Sequence, residues 1–196
     1  MAVSVSDYQS QDQQIWEEEL EDFVPSRVFD AHIHMLNLEH LPAGPSSFHN
    51  WAFADLAALR EWAARLYPGR ETHFLVLGTP APGIDVTAHN HWCIEQVQRD
   101  PQSRMNRLVT PACRVEDIAR DVRELGFVGL KPYRLFSVTG DIAQCRIHEF
   151  LPHGQLELAN ELGLWGTMHL SRFHGCADEL NLEDLAEFPG RRYPNV

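Results

Sequence analysis

Val28-Phe29-Asp30-Ala31-His32-Ile33-His34 is a short apolar run that ends in two histidines spaced two apart. Its composition predicts a β-strand, and side chains two apart on a strand project from the same face, about one pleat from each other. His32 and His34 are thus expected side by side, a spacing that lets two imidazoles grip one ion. From Arg27 onward, similar runs alternate with helical patterns, which is the signature of βα units around a parallel sheet.

The first helix is predicted over Ala52 to Tyr67, with Phe53, Leu56, Ala57, Ala63, Ala64 and Tyr67 on one stripe and Pro68-Gly69 ending it. The second strand, His73 to Gly78, is too continuously apolar for a half-exposed strand and suits a sheet covered by helices. A helix over about His89 to Arg99 leads to strand three, Arg107 to Thr110, which Pro111 closes. Val115 to Leu125 follows as a helix with Gly126 at the capping position, then strand four, Phe127 to Lys131, stopped by Pro132. Beyond a long loop through Cys145, a helix over Gln155 to Leu162 ends at Gly163 and feeds strand five, Leu164 to His169. Leu180 to Phe188 is the last helix. Residues 1–25 form an acidic arm with a short helix against the body, and 26–196 carry the βα units.

Five βα units fit a doubly wound sheet or a (β/α)8 barrel equally well by periodicity. The polar residues favour the barrel. Strands one, four and five end in side chains capable of chemistry (His32 and His34, Lys131, His169), as expected at the C-terminal mouth of a barrel. No G-x-G-x-x-G follows strand one, so a dinucleotide site has no support. The fold expected is α/β, a partial TIM-like barrel of about five parallel βα units.

The formal charge of -12 opposes a phosphate backbone and argues against a nucleic-acid partner. No stretch approaches the roughly 20 apolar residues of a membrane span, and the N-terminus lacks a signal-peptide pattern. Four scattered cysteines, with no C-x-x-C pair, form neither a disulfide framework nor a zinc ribbon. A soluble, cytoplasmic protein with a small-molecule substrate is expected.

Among the candidate site residues, His32 and His34 are expected to bind metal, with His169 reaching the same mouth from strand five, and Asp30 to orient one imidazole as an acceptor. Lys131 faces inward by the alternation of strand four. There it contacts a substrate carboxylate, becomes a carbamate bridging two metals, or snorkels to the mouth. Arg134, Arg172 and His174 lie in loops at the same end and suit an anionic substrate, against the plainer reading of solvated loop charges. His89 and His91 fall on a helix, where residues two apart do not share a face, and are left out of the metal site.

With these residues placed, the chain resembles the amidohydrolase-related (amidohydrolase 2) family of metal-dependent hydrolases and decarboxylases, from about Val24 to Val196. The pieces that carry the resemblance are Phe29-Asp30-Ala31-His32-Ile33-His34, Glu124-Leu125-Gly126-Phe127-Val128-Gly129-Leu130-Lys131-Pro132, and Glu161-Leu162-Gly163-Leu164 through Met168-His169. The resemblance implies one catalytic divalent metal, usually zinc or manganese, on His32, His34 and His169. It also implies a strand-six histidine and a strand-eight aspartate, both expected beyond Val196, so that the chain would be the N-terminal portion of a barrel. The implied activity is hydrolysis of a small amide, ester or lactone by metal-activated water; the alternatives are decarboxylation of a small aromatic acid and an inactive truncated fragment. An open arc would leave unpaired strand edges, from which self-association into a homo-oligomer is expected.

Overall fold

In the computed structural model, residues 10–43, 53–170, 172 and 174–196 are described. Five strands form one sheet in the order β1-β2-β3-β4-β5: β1 Arg27–Met35, β2 Glu71–Gly78, β3 Arg104–Val109, β4 Gly129–Pro132 and β5 Trp165–Gly166. Every neighbouring pair is parallel, so each strand is reached by a crossover through a helix. The architecture is an α/β arc of the barrel type, with sequential strands and helices between them, as the alternation of the chain requires.

The helices are α1 Ser10–Ile15, α2 Leu56–Leu66, α3 Val86–Val97, α4 Val115–Leu125, α5 Ile147–Phe150, α6 His153–Leu162 and α7 Glu179–Glu187. Strong local signals set their ends. Asp55 accepts the Ala58 N–H at 2.8 Å and Asp85 accepts the Ala88 N–H at 3.0 Å, each satisfying a donor that the first helical turn leaves free. Gly126 (φ 83) and Gly163 (φ 62) end α4 and α6 in the left-handed conformation that glycine adopts without a Cβ clash. No helix among the described residues is long and apolar enough to cross a membrane.

The outer face of the sheet is the core. Ile33, Met35, Phe74, Val76 and Met105 pack against Leu56, Leu59 and Ala63 of α2 and Cys93, Ile94 and Val97 of α3. Val109 and Leu130 pack against Ile118, Leu156 and Ala159 of α4 and α6. Burying each large side chain contributes roughly 1.5–3 kcal/mol, and this face holds most of them. Arg107, also on the outer face, meets Asp121 of α4 in a buried pair at 2.8 and 2.9 Å.

The structure corrects several expected boundaries. Strand three begins at Arg104 rather than Arg107, and α3 at Val86 rather than His89. The buried stripe of α2 is Leu56, Leu59 and Ala63; Ala57 and Ala64 face solvent and Phe53 precedes the helix, half exposed. The predicted start of that helix at Ala52 lies outside the described residues. The ladder of β5 is only two residues long because it has a neighbour on one side alone, with Trp165 and Thr167 donating to the carbonyls of Val128 and Leu130. From the N-terminal arm, Trp16 is buried edge-on against Tyr67 (centroids 6.4 Å apart) and below the Arg70 guanidinium at 5.1 Å.

Candidate functional site

Register decides which side chains meet on the inner face. His34 lies level with Leu77, Leu77 with Asn106, and Asn106 with Gly129. Their sequence neighbours Ile33, Val76 and Met105 belong to the helix-covered core, so this row points the other way. One step toward the C-terminal end, Leu108 is level with Lys131. The inner face therefore carries His34, Asn106 and Lys131, three polar side chains from three strands.

β1 has a bulge. Asp30 pairs with Phe74 but Ile33 pairs with Val76, so Ala31 and His32 together stand opposite Leu75. A bulge re-aims side chains, and here it breaks the simple alternation from Asp30 to His34. The Asp30 carboxylate accepts the main-chain N–H of His32 at 3.0 Å, so it fixes the bulge instead of accepting an imidazole N–H as expected. Past the bulge, the rings of His32 and His34 sit edge to face with centroids 5.2 Å apart.

The other ring at the mouth is Tyr133, buried, with its centroid 6.3 Å from His34 and 5.6 Å from His169. Its hydroxyl stands 3.4 Å from the His34 ring nitrogens, longer than a strong hydrogen bond. The Lys131 ammonium lies 4.7 Å from the Tyr133 ring centre, a cation–π contact. His169 is exposed and lies past the β5 ladder, not at the end of a strand.

The electrostatics of this group follow from burial. His34 is pushed down to about 4 by loss of solvent, then by the charge of Lys131 and by His32; the backbone of Leu77 and Gly78 opposes the shift. His32 and His169 are lowered too, burial acting first in both, followed by Lys131 for His32 and by Arg134, Lys131 and His32 for His169. At neutral pH these imidazoles are uncharged, the form that ligates metal. Lys131 itself is lowered to about 8 by burial. Tyr133 is raised by burial and stays protonated.

Not all the expected site residues are free to act. Arg172 (φ 70) donates to Asp178 at 2.7 Å and to the Gln144 carbonyl at 2.7 Å, which ties its loop down. His174 is exposed and precedes a single 3-10 turn, Gly175–Ala177. Arg134 is half-buried, opens the 3-10 turn Arg134–Phe136, and has no carboxylate partner among the described residues. Among the described residues, no three His, Cys, Asp or Glu side chains already stand together as a metal-ligand set.

Two features escape a sequence reading. The first is Asn106: its amide donates to Thr167 at 2.7 Å while its buried Oδ1 has no partner among the described residues, and a side chain on Gly129 would clash with that oxygen. The second is a histidine pair behind the mouth. Buried His89 accepts the Thr79 N–H on Nε2 at 3.2 Å, which puts its proton on Nδ1, 3.1 Å from His40 Nδ1. His91 turns toward Asp121 on another face of α3, as helical geometry requires. Only the uncommon richness in histidine hints at the pair. No protein-family model matches the chain, and no curated protein matches it.

Proposed function

We propose that the mouth of the arc is the site of a metal-dependent hydrolase acting on a small amide, ester or lactone. The observation that carries this reading is the His32–His34 pair, two rings 5.2 Å apart at the C-terminal end of β1, in the neutral form. Such a pair fits a zinc- or manganese-type ion in kind, because imidazole suits these metals and the mouth of a βα arc is where strand ends bring chemistry together. His169, whose ionisation responds to His32, supplies the third nitrogen in this reading. Bound there, the ion would polarise the substrate and lower the pKa of water toward about 7.

The chain's own groups do the rest. Lys131 and Arg134 draw an anionic or carbonyl-bearing substrate inward, and Tyr133 closes one wall of the site. A second reading, decarboxylation, is favoured by Arg134, which has no carboxylate partner among the described residues and suits a carboxylate-bearing substrate.

The test is metal content by mass spectrometry after loading with zinc or manganese and dialysis, together with hydrolysis of an ester, amide and lactone panel. About one ion per chain is expected, lost in His32→Ala/His34→Ala and weakened by about 10–100-fold in a variant that misplaces one ligand. Equal metal retention by the wild type and the double variant would overturn the assignment. Carbon dioxide release from aromatic acids without hydrolysis would select the second reading.

A further inference from the structure

Lys131 is the sole lysine among the chain's 196 residues; its other basic side chains are arginine or histidine. It is also among the most deeply buried large side chains, 1% exposed, on the inner face of β4. No carboxylate pairs with it among the described residues, whereas the buried Arg107 on the adjacent strand has Asp121. Its contact is the face of Tyr133, at 4.7 Å.

We propose that Lys131 captures a small 2-oxo acid as an imine, with the substrate carboxylate held by Arg134. An amine buried without a counter-ion gives up its proton more readily than a solvated one, and only the free amine attacks carbon. Arginine cannot serve in this way because its guanidinium does not deprotonate in proteins. The steps balance without a further reagent. The Nζ lone pair adds to the keto carbon, forming a C–N bond while the carbonyl electron pair moves to oxygen. One nitrogen proton passes to that oxygen, and a carbinolamine results. The nitrogen lone pair then forms the second C–N bond as the C–O bond breaks, and the oxygen leaves as water, taking the remaining nitrogen proton. One keto acid and one amine become one imine and one water.

Arg134 sets the substrate class. It stands one residue past Tyr133, close enough to depress His169 by its charge, and meets no carboxylate among the described residues. A substrate carboxylate fills that role by charge-assisted hydrogen bonds.

This proposal does not require a metal, so the experiment uses chelator-treated full-length protein. Pyruvate and sodium cyanoborohydride are added, and the intact mass and a peptide map are recorded. One reduced pyruvyl group on the peptide containing Lys131 is expected. Lys131→Met should retain only the background at the N-terminal amine, with its circular-dichroism melt showing that it still folds. Arg134→Ala should need about tenfold more pyruvate for half-maximal trapping, the loss of one charged contact, while trapping of acetaldehyde, which has no carboxylate, stays unchanged. Equal labelling of wild type and Lys131→Met, or no adduct at saturating pyruvate, overturns the proposal. Identical pyruvate dependence in wild type and Arg134→Ala overturns the assignment of the substrate class.

Discussion

The two ends of the same sheet treat their charged side chains in opposite ways. At the N-terminal end, Asp100 receives the Ser103 hydroxyl at 2.7 Å, the Gln102 N–H at 3.0 Å and the ring of His73 at 2.9 Å, and Arg60 adds an ion pair at 3.4 Å. Ser103 in turn accepts the Phe74 N–H at 2.9 Å. At the C-terminal mouth, neither Lys131 nor Arg134 meets a carboxylate among the described residues, and the Oδ1 of buried Asn106 has no partner among them. Closed polar networks stabilise a fold, whereas a buried polar group left open keeps hydrogen-bonding capacity for water or another molecule. The histidines illustrate the contrast: His73 is held between two carboxylates, while His32 and His34 face each other.

The sharpest way to break the comparison is to open a closed pair. Asp121→Ala leaves Arg107 buried and uncompensated beneath α4 and should cost about 3–5 kcal/mol in urea unfolding. A loss below about 1 kcal/mol would show that water enters this face and that the contrast with the mouth is unsound.

Asp100→Ala should cost about 2–3 kcal/mol, because it strips partners from Ser103, His73 and the Gln102 N–H together. In the wild type, hydrogen bonds from His73, Ser103 and the Gln102 backbone outweigh burial and hold the Asp100 carboxyl well below its ordinary value. A carboxyl lowered on folding contributes stability above its unfolded pKa, near 4, and loses it as pH falls through the folded value. Thermal melts between pH 5 and 2 should therefore separate wild type from Asp100→Ala at the upper end and bring them together at the lower.

The smallest effect belongs to the mouth. Lys131 falls to about 8 on folding, so above that pH the unfolded chain holds more protons and stability rises toward the unfolded pKa near 10.5. Lys131→Met should be as stable as the wild type or slightly more so at pH 7, and the advantage should shrink by pH 10. A clear destabilisation at pH 7 would place Lys131 among the closed structural groups.

Much of the layout was legible locally. The alternation of apolar runs with helical stripes and Gly126 and Gly163 after their helices each act over a few residues, so the order of five βα units followed from them; strand four, expected over Phe127 to Lys131, instead runs from Gly129 through Pro132, which pairs with Val109. Lys131 was expected to face inward, and its register with Leu108 agrees. The bulge at Ala31-His32 was not legible, because a bulge is a mismatch between two strands and neither sequence alone contains it. The same holds for His169, which the short β5 ladder leaves in a loop, and for Arg172, bound by Asp178 and the Gln144 carbonyl.

What the sequence by itself determined is the kind of fold and the inventory of reactive side chains, since helix and strand periods and residue chemistry are local properties. Which of those side chains were left without partners was decided by tertiary structure. Asp121 reaches Arg107 across a helix–sheet contact, Asp100 reaches His73 across 27 positions, and no carboxylate among the described residues is brought to Lys131. Satisfaction of a buried charge depends on distances between residues far apart in the chain, and only the folded chain sets those distances.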